Sequence, residues 1–197
     1  ADRQPALNTP DPCYGGVVWD QQVTKTMGLP FAYLLKLRTT LLRDLGGAMS
    51  PFSAWMFIQG LETLPLRMRE HAKNAQAVAE FLENNDKVQS VTYPGLFEGA
   101  EREKADKYMK GGYGALIGFE LPGGKEAGSK FIDSLELLYH VANIGDSRSL
   151  AIHPATTTHS QLAPEEQLSA GVTPGYVRLS IGICLLYTSP SPRDTIR

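Results

Sequence analysis

The sequence predicts an α+β arrangement in which a leading helical segment precedes a compact unit of helices packed on a small sheet. Two observations carry this prediction. Apolar residues recur at helical spacing over residues 31–45, and short apolar runs bounded by glycine and proline at residues 115–121 and 176–183 indicate strands. Helices and strands that alternate in this way bury their apolar faces by packing helices on a sheet.

The central part of the chain carries clear helix signals. Ser50 and Pro51 form an N-cap followed by proline at the first helical position, which predicts a helix start. Pro65 should interrupt this helix, because proline lacks an N–H donor and clashes with the preceding turn. A second helix is predicted from about residue 66 to residue 84, with one apolar face formed by Ala75, Val78, Ala79 and Leu82.

The remaining elements are shorter. Turn residues such as Pro94, Gly95, Pro122 and Gly123 separate them. Strands are predicted at residues 88–93, 115–121, 137–142, 149–153 and 176–183, and helices at residues 98–110, 125–134 and 164–169. A boundary within residues 65–85 separates the leading helical part from this unit.

Composition excludes several function classes. Of the 197 residues 42% are hydrophobic, which is enough to build a core, and the formal net charge of −2 without a basic run argues against nucleic-acid binding. No apolar stretch is long enough to span a membrane. Cys13 and Cys184 indicate a reduced compartment, the cytoplasm. A metal site is disfavoured, because no Cys or His pair has ligand spacing apart from His153 and His159, which a proline-containing segment separates.

Residues 184–197 differ from the rest of the chain. They are rich in serine and proline and show no periodicity. This segment resembles translated adapter read-through, so we interpret it as a non-native tail and exclude it from the fold.

Arg178 is the first candidate for a functional side chain. It lies within an apolar strand, after a polar stretch rich in serine, threonine and histidine at residues 143–161. Burying an unpaired charge is costly, so this arginine must find an anion or another acceptor. Its planar fork matches a carboxylate, which it can hold through two parallel hydrogen bonds. The pattern therefore indicates a small carboxylate ligand such as an amino acid.

Several segments, in the same order along the chain, resemble one enzyme family. They are residues 41–54, 59–63, 91–95, 142–146, 149–162, 171–174 and 177–182. Together they are similar to the C-terminal part of O-acetylhomoserine sulfhydrylases, which belong to the pyridoxal-phosphate-dependent family of Cys/Met metabolism. The resemblance covers about residues 5–183.

The resemblance implies an α/β fold of the type I class of pyridoxal-phosphate transferases. Residues 1–64 would be the end of the large cofactor domain, residues 65–85 a connecting helix and residues 86–183 the small α+β C-terminal domain. It implies a transsulfuration reaction that makes homocysteine, in methionine biosynthesis, from O-acetylhomoserine and sulfide through a pyridoxal 5'-phosphate aldimine. It also implies a homotetramer that acts on a small amino-acid substrate.

Three residues match positions that bind substrate in the family. Arg178 matches the arginine that holds the substrate α-carboxylate, Asn143 matches a polar residue whose loop touches that carboxylate, and Thr158 matches a threonine that lines the pocket. We expect a supporting role, and no chemical step, for Asp146, Ser149, His153 and His159.

No catalytic, cofactor-binding or metal-binding residue is predicted within the chain. The Schiff-base lysine of the family lies in a Ser-x-Thr-Lys setting, which we expect upstream of residue 1. Lys25 is a look-alike that follows the Pro-Asp-Pro segment, whereas the family lysine precedes it. The chain alone is therefore not expected to catalyse the reaction.

Two alternatives stay open at this point. Cystathionine γ-synthase and methionine γ-lyase share the arginine and the histidine-proline element of the same family. The other alternative is a non-catalytic truncated domain with only a structural or association role, since a fragment would expose apolar helices at residues 31–64.

Overall fold

A computed structural model of the protein describes residues 4–183. The chain divides into two compact units, with the boundary between Gln59 and Gly60. The predicted non-native tail at residues 184–197 lies outside the described residues. None of the helices within residues 4–183 combines the length and apolar character needed to cross a membrane.

Short helical segments form the first unit. Its small core consists of Trp19, Val23 and Ala32. The helix predicted at residues 31–45 is confirmed, although its second part is π-helical. The segments are α1 (Pro5–Asn8), a π-helix (Asp20–Lys25), α2 (Ala32–Lys36), its π-helical continuation (Leu37–Arg43) and the greater part of α3 (Pro51–Glu62).

A buried carboxylate organises this first unit. Asp11 accepts hydrogen bonds from the indole N–H of Trp19 at 2.8 Å, from the ammonium of Lys36 at 2.9 Å and from the backbone of Cys13 at 3.0 Å. The hydrogen bond from Lys36 is the main reason that the pKa of Asp11 lies below its usual range. The satisfied carboxylate therefore joins the leading loop to α2.

Helix α3 begins as predicted and leaves its apolar side chains exposed. The hydroxyl oxygen of Ser50 accepts a hydrogen bond from the backbone of Ser53 at 3.1 Å, which confirms the N-cap. No residue of α3 is buried. The exposed apolar residues of α3 are Phe52, Trp55, Met56, Phe57, Ile58 and Leu61.

The second unit combines helices with a five-stranded sheet. Pro65 lies in the first turn of α4, so the predicted interruption near Pro65 is confirmed. The helices are α4 (Leu64–Glu83), α5 (Gly99–Tyr108), α6 (Gly124–Asp133) and α7 (Pro164–Ser169). The strands are β1 (Ser90–Thr92), β2 (Leu116–Glu120), β3 (Tyr139–His140), β4 (Leu150–Ile152) and β5 (Tyr176–Ser180).

The sheet places the last strand at its centre. The strand order is β1-β2-β5-β4-β3, and all neighbours are antiparallel except the parallel pair β3 and β4. Each predicted strand therefore exists, with shorter bounds than the sequence indicated. The order follows from packing contacts that no local pattern encodes.

One face of this sheet is apolar and the other carries polar groups. Ile117, Phe119, Val177 and Leu179 pack into the main core with buried alanines of α4 and with Ile132 of α6. Because side chains alternate along a strand, the residues between them point to the opposite face. That second face includes Glu120, Tyr176, Arg178 and Ser180.

The phenol of Tyr93 is buried in the main core, away from water. Its side chain is fully buried and its hydroxyl donates a hydrogen bond to the carbonyl of Gly114 at 3.1 Å. Burial is the main cause that raises the pKa of Tyr93 to about 12.

This raised pKa predicts a loss of stability in alkali. The unfolded chain releases the phenol proton near pH 10, whereas folded Tyr93 keeps it up to about pH 12, so the free energy of unfolding should fall across this interval. In Tyr93→Phe the fall should be shallower. Urea unfolding at stepped pH measures it, with the exposed Tyr108→Phe as control, and equal slopes in wild type and Tyr93→Phe would contradict the prediction.

Candidate substrate-carboxylate site

Arg178 occupies the middle of the polar sheet face. It lies on the central strand β5, opposite Gly118 of β2 and Ile152 of β4. The neighbouring residues Val177 and Leu179 are buried in the core on the other face. Alternation along β5 thus fixes the direction of the guanidinium, which the register of three strands holds in place.

The guanidinium has one protein partner and one unsatisfied donor. The Nη2 group of Arg178 donates to the carbonyl of Ala142 at 2.9 Å. Its Nε–H is buried and has no hydrogen-bond partner, and no carboxylate within residues 4–183 forms an ion pair with it. Leaving such a donor unpaired costs free energy, and a guanidinium offers five N–H donors in a fork that matches carboxylate or phosphate. The site therefore fits an anionic ligand.

Asn143 lies next to the residue that holds Arg178. Ala142 directly precedes Asn143, so the contact at Nη2 brings the backbone of the Asn143 loop (residues 142–149) to the guanidinium. The Asn143 side chain is exposed and makes no hydrogen bond with the other described residues. The structure thus brings the Asn143 loop to Arg178 and leaves the amide available to a ligand.

Thr158 is not part of this contact. It follows the turn at Pro154–Thr156 after β4, and its exposed hydroxyl lies 2.9 Å from Nδ1 of His159. No hydrogen bond among the described residues joins Thr158 to Arg178 or Asn143. Its predicted place in the pocket stays a prediction.

His153 has a structural environment. It is buried, its Nε2 donates to the carbonyl of Pro174 at 2.8 Å, and its Nδ1 lies 2.9 Å from the hydroxyl of Thr156. The ring also packs against Gly128, where a side chain would collide with it. These contacts agree with a supporting role for His153.

Asp146, the acidic residue of the Asn143 loop, is hydrogen-bonded to Arg148. Asp146 accepts hydrogen bonds from both the side chain and the backbone of Arg148, and the side-chain bond is the main cause that lowers the pKa of Asp146.

No group of three or more His, Cys, Asp or Glu residues in the described part of the chain could hold a metal ion.

Tyr176 borders the site on the same face. Its ring lies across Gly118, where a Cβ would collide with the phenol. Tyr176, Glu120, Ser90 and Thr92 line an open groove of about 330 Å³. Burial and nearby Glu120 raise the pKa of Tyr176, whereas the charge of Arg178 lowers it. The phenol therefore interacts electrostatically with the guanidinium and forms one wall of the groove beside it.

The sequence matches one protein family over most of its length. The match to the family of Cys/Met metabolism PLP-dependent enzymes covers residues 13–185. This chain belongs to that family. The family prediction is thereby confirmed, and the cofactor of the family is pyridoxal phosphate.

Individual members of the family are similar to the chain but longer. The O-acetyl-L-homoserine sulfhydrylase of Leptospira meyeri is 53% identical over 178 residues, which cover 88% of this chain and 40% of the relative. The homocysteine synthase of Schizosaccharomyces pombe is 46% identical over 181 residues, which cover 92% of this chain and 41% of the relative. The chain thus spans about two fifths of the length of these relatives.

A solved structure of a similar protein supports the fold. A crystal structure from Campylobacter jejuni, described as an O-acetylhomoserine (thiol)-lyase, superposes with a TM-score of 0.75 at 41% identity. The match covers 92% of this chain and 42% of that chain, which carries an N'-pyridoxyl-lysine-5'-monophosphate. The predicted α/β fold class is confirmed.

Sequence reasoning overlooked four residues of the candidate site. Alternation along β5 places Tyr176 and Ser180 on the same face as Arg178, and this signal was available in the sequence. A glycine within a strand often marks a close approach, which is the role of Gly118 beneath Tyr176. The carbonyl of Ala142 had no sequence signal, because any residue can supply one.

The electrostatic contact between Arg178 and Tyr176 can be measured. Arg178→Gln removes a positive charge that favours tyrosinate, so the pKa of Tyr176 should rise further, whereas Glu120→Gln should lower it. Site-specific labelling of Tyr176 and titration by NMR would follow the phenol. Unchanged titration in both variants would contradict the proximity of these groups.

Proposed function

We propose that this chain is the substrate-carboxylate-binding part of an enzyme that makes homocysteine from O-acetylhomoserine and sulfide. The names of the relatives from Leptospira meyeri and Schizosaccharomyces pombe support this choice over cystathionine γ-synthase and methionine γ-lyase. The observation that carries the proposal is the buried, unpartnered Nε–H of Arg178.

In this proposal Arg178 holds the α-carboxylate of the amino-acid substrate. The Nε–H and the remaining Nη hydrogens provide the donors for a two-point contact, while the bond to Ala142 restrains the side chain. The exposed amide of Asn143 supplies a further donor to the same carboxylate, and Thr158 lines the pocket beyond it. Bound pyridoxal phosphate would supply an electron sink, and the carboxylate contact would orient the substrate toward it.

The rest of the predicted organisation belongs to the same proposal. Residues 1–64 form the end of the large cofactor domain, residues 65–85 the connecting helix and residues 86–183 the small domain. The extent of α4, Leu64–Glu83, supports the connecting helix. The low cysteine content supports a cytoplasmic enzyme.

Substitution of Arg178 tests the proposal. Residues 4–183 replace the matching segment of the Leptospira meyeri protein, and homocysteine formation is measured. Arg178→Ala should lower kcat/KM by a factor that corresponds to about 2–4 kcal/mol of lost transition-state stabilisation, since charge-assisted hydrogen bonds are lost. The kcat/KM of Arg178→Lys should lie between those of the unsubstituted chimera and Arg178→Ala, because lysine keeps the charge but loses the guanidinium fork.

The control is Arg69→Ala, which removes an exposed arginine of α4. It should leave kcat/KM at the level of the unsubstituted chimera. A kcat/KM for Arg178→Ala equal to that of the control would reject the role of Arg178.

A second function, association between copies of this chain, is supported by helix α3. Its apolar side chains are exposed, including Trp55 and Phe57 with 55% and 62% exposed. Contiguous exposed apolar surface is unfavourable in water and is characteristic of protein contacts. The homotetramer implied by the family resemblance supports a second copy as the occupant.

Sedimentation measures this association. The mean mass of the 197-residue chain should rise with concentration, and Phe57→Glu should shift the rise to higher concentration because a charge must be desolvated. Phe81→Glu is the matched control, since Phe81 is exposed to a similar degree, 66%, but lies on α4. Equal effects of the two substitutions would argue against a contact formed by α3.

A further inference from the structure

The strand that carries Arg178 also anchors the Asn143 loop, residues 142–149. Ser180 lies two residues after Arg178 on the same face and is 1% exposed. Its cross-strand neighbours are Leu116 and Leu150, so the hydroxyl lies in an apolar row. Its partner among the described residues is the backbone N–H of Gly145, which donates to it at 3.3 Å. Within residues 4–183, the one hydrogen bond of this buried hydroxyl is therefore with the loop.

The backbone beyond Ser180 forms a second anchor. Gly182 is buried, and a Cβ at this position would collide with the backbone of residues 147–149. Its N–H donates to the hydroxyl of Ser149 at 3.0 Å, and the N–H of Ile183 donates to the carbonyl of Ser147 at 3.0 Å. The loop can approach this closely only because residue 182 has no side chain.

Helix α4 holds the same strand end from the other side. Nδ1 of His71 donates to the carbonyl of Ile181 at 2.6 Å, and the amide of Asn74 donates to the carbonyl of Gly182 at 3.0 Å. Both side chains are buried. The surface on which the loop rests is thus fixed to the main helix of the unit, and displacement of the strand end would leave buried polar groups unpaired.

We propose that Ser180 and Gly182 are positioning residues of the Arg178 site and act through the Asn143 loop. The loop carries the Ala142 carbonyl, which is the only protein acceptor of the guanidinium among the described residues. If the loop moves, this acceptor moves, and the guanidinium loses the restraint that directs Nε–H toward a ligand. The inference rests on the proposed function, because it takes a carboxylate as the ligand of Arg178.

The test uses the whole 197-residue chain and L-norleucine, an unreactive amino acid, as the carboxylate probe at constant ionic strength. The readouts are the norleucine Kd and the NMR signal of the Arg178 Nε–H. Ser180→Ala and Gly182→Ala should each raise the Kd about two- to tenfold, the range expected when one hydrogen-bond restraint is lost. Both should broaden the Nε–H signal.

Matched controls separate positioning from general stability. Ser134→Ala removes a hydroxyl that donates to Phe131 at the end of α6, and Gly60→Ala adds a methyl group where no atom lies within 4 Å. Neither should change the Kd or the Nε–H signal. Urea unfolding reports stability independently, and if Gly182→Ala does not fold, the result for Ser180→Ala decides.

The outcomes distinguish this inference from the proposed function. Norleucine binding that is absent in wild type, or that Arg178→Ala leaves intact, overturns the proposed function and the inference with it. Binding that Arg178→Ala abolishes but that Ser180→Ala and Gly182→Ala retain at wild-type strength, with an unchanged Nε–H signal, overturns the positioning role alone.

Discussion

Placing a guanidinium in the central strand of a sheet is costly unless an anion accompanies it, and Arg178 has no anion among the described residues. Its position is nevertheless over-determined. The cross-strand neighbours Gly118 and Ile152 fix its register, and the Ala142 carbonyl holds one Nη group. Because the adjacent Nε–H is buried without a hydrogen-bond partner, the folded protein already holds a donor in place for a ligand. The substrate carboxylate supplies the missing charge in the proposed function.

The two faces of the sheet explain how this cost is tolerated. On one face Phe119, Val177 and Leu179 pack against α4 and α6, so burial of apolar area stabilises the strands that carry the polar face. The same helix α4 provides His71 and Asn74, which satisfy the carbonyls at the end of β5. The rigid elements thus lie beneath the site, and the groups that meet the ligand lie on their edge and on one anchored loop.

Local patterns predicted the elements well because their signals are local. The N-cap at Ser50 and the interruption near Pro65 were both read correctly from neighbouring residues. Arg178 could be singled out as a candidate from the sequence, since a charged residue within an apolar strand is conspicuous, and its role stays a prediction. Its partner at Ala142 could not be singled out, because that contact depends on where the Asn143 loop crosses β5. The face on which Ser180 lies could be predicted from the alternation of side chains along β5. The need for glycine at residue 182 could not, because it depends on how closely the backbone of the Asn143 loop approaches that position.

In the proposed function, Arg178 also limits which substrates the site can discriminate. An α-carboxylate is common to all amino acids, so a site that binds it selects the amino-acid class and contributes equally to competing donors that differ in their side chains. In the proposed function, discrimination between O-acetylhomoserine and its analogues would require contacts to the side chain and leaving group. In this proposal residues such as Thr158, together with groups outside the described residues, would provide those contacts. Substitution of Arg178 should therefore weaken reaction with every donor to a similar degree, and the ratio between donors should persist.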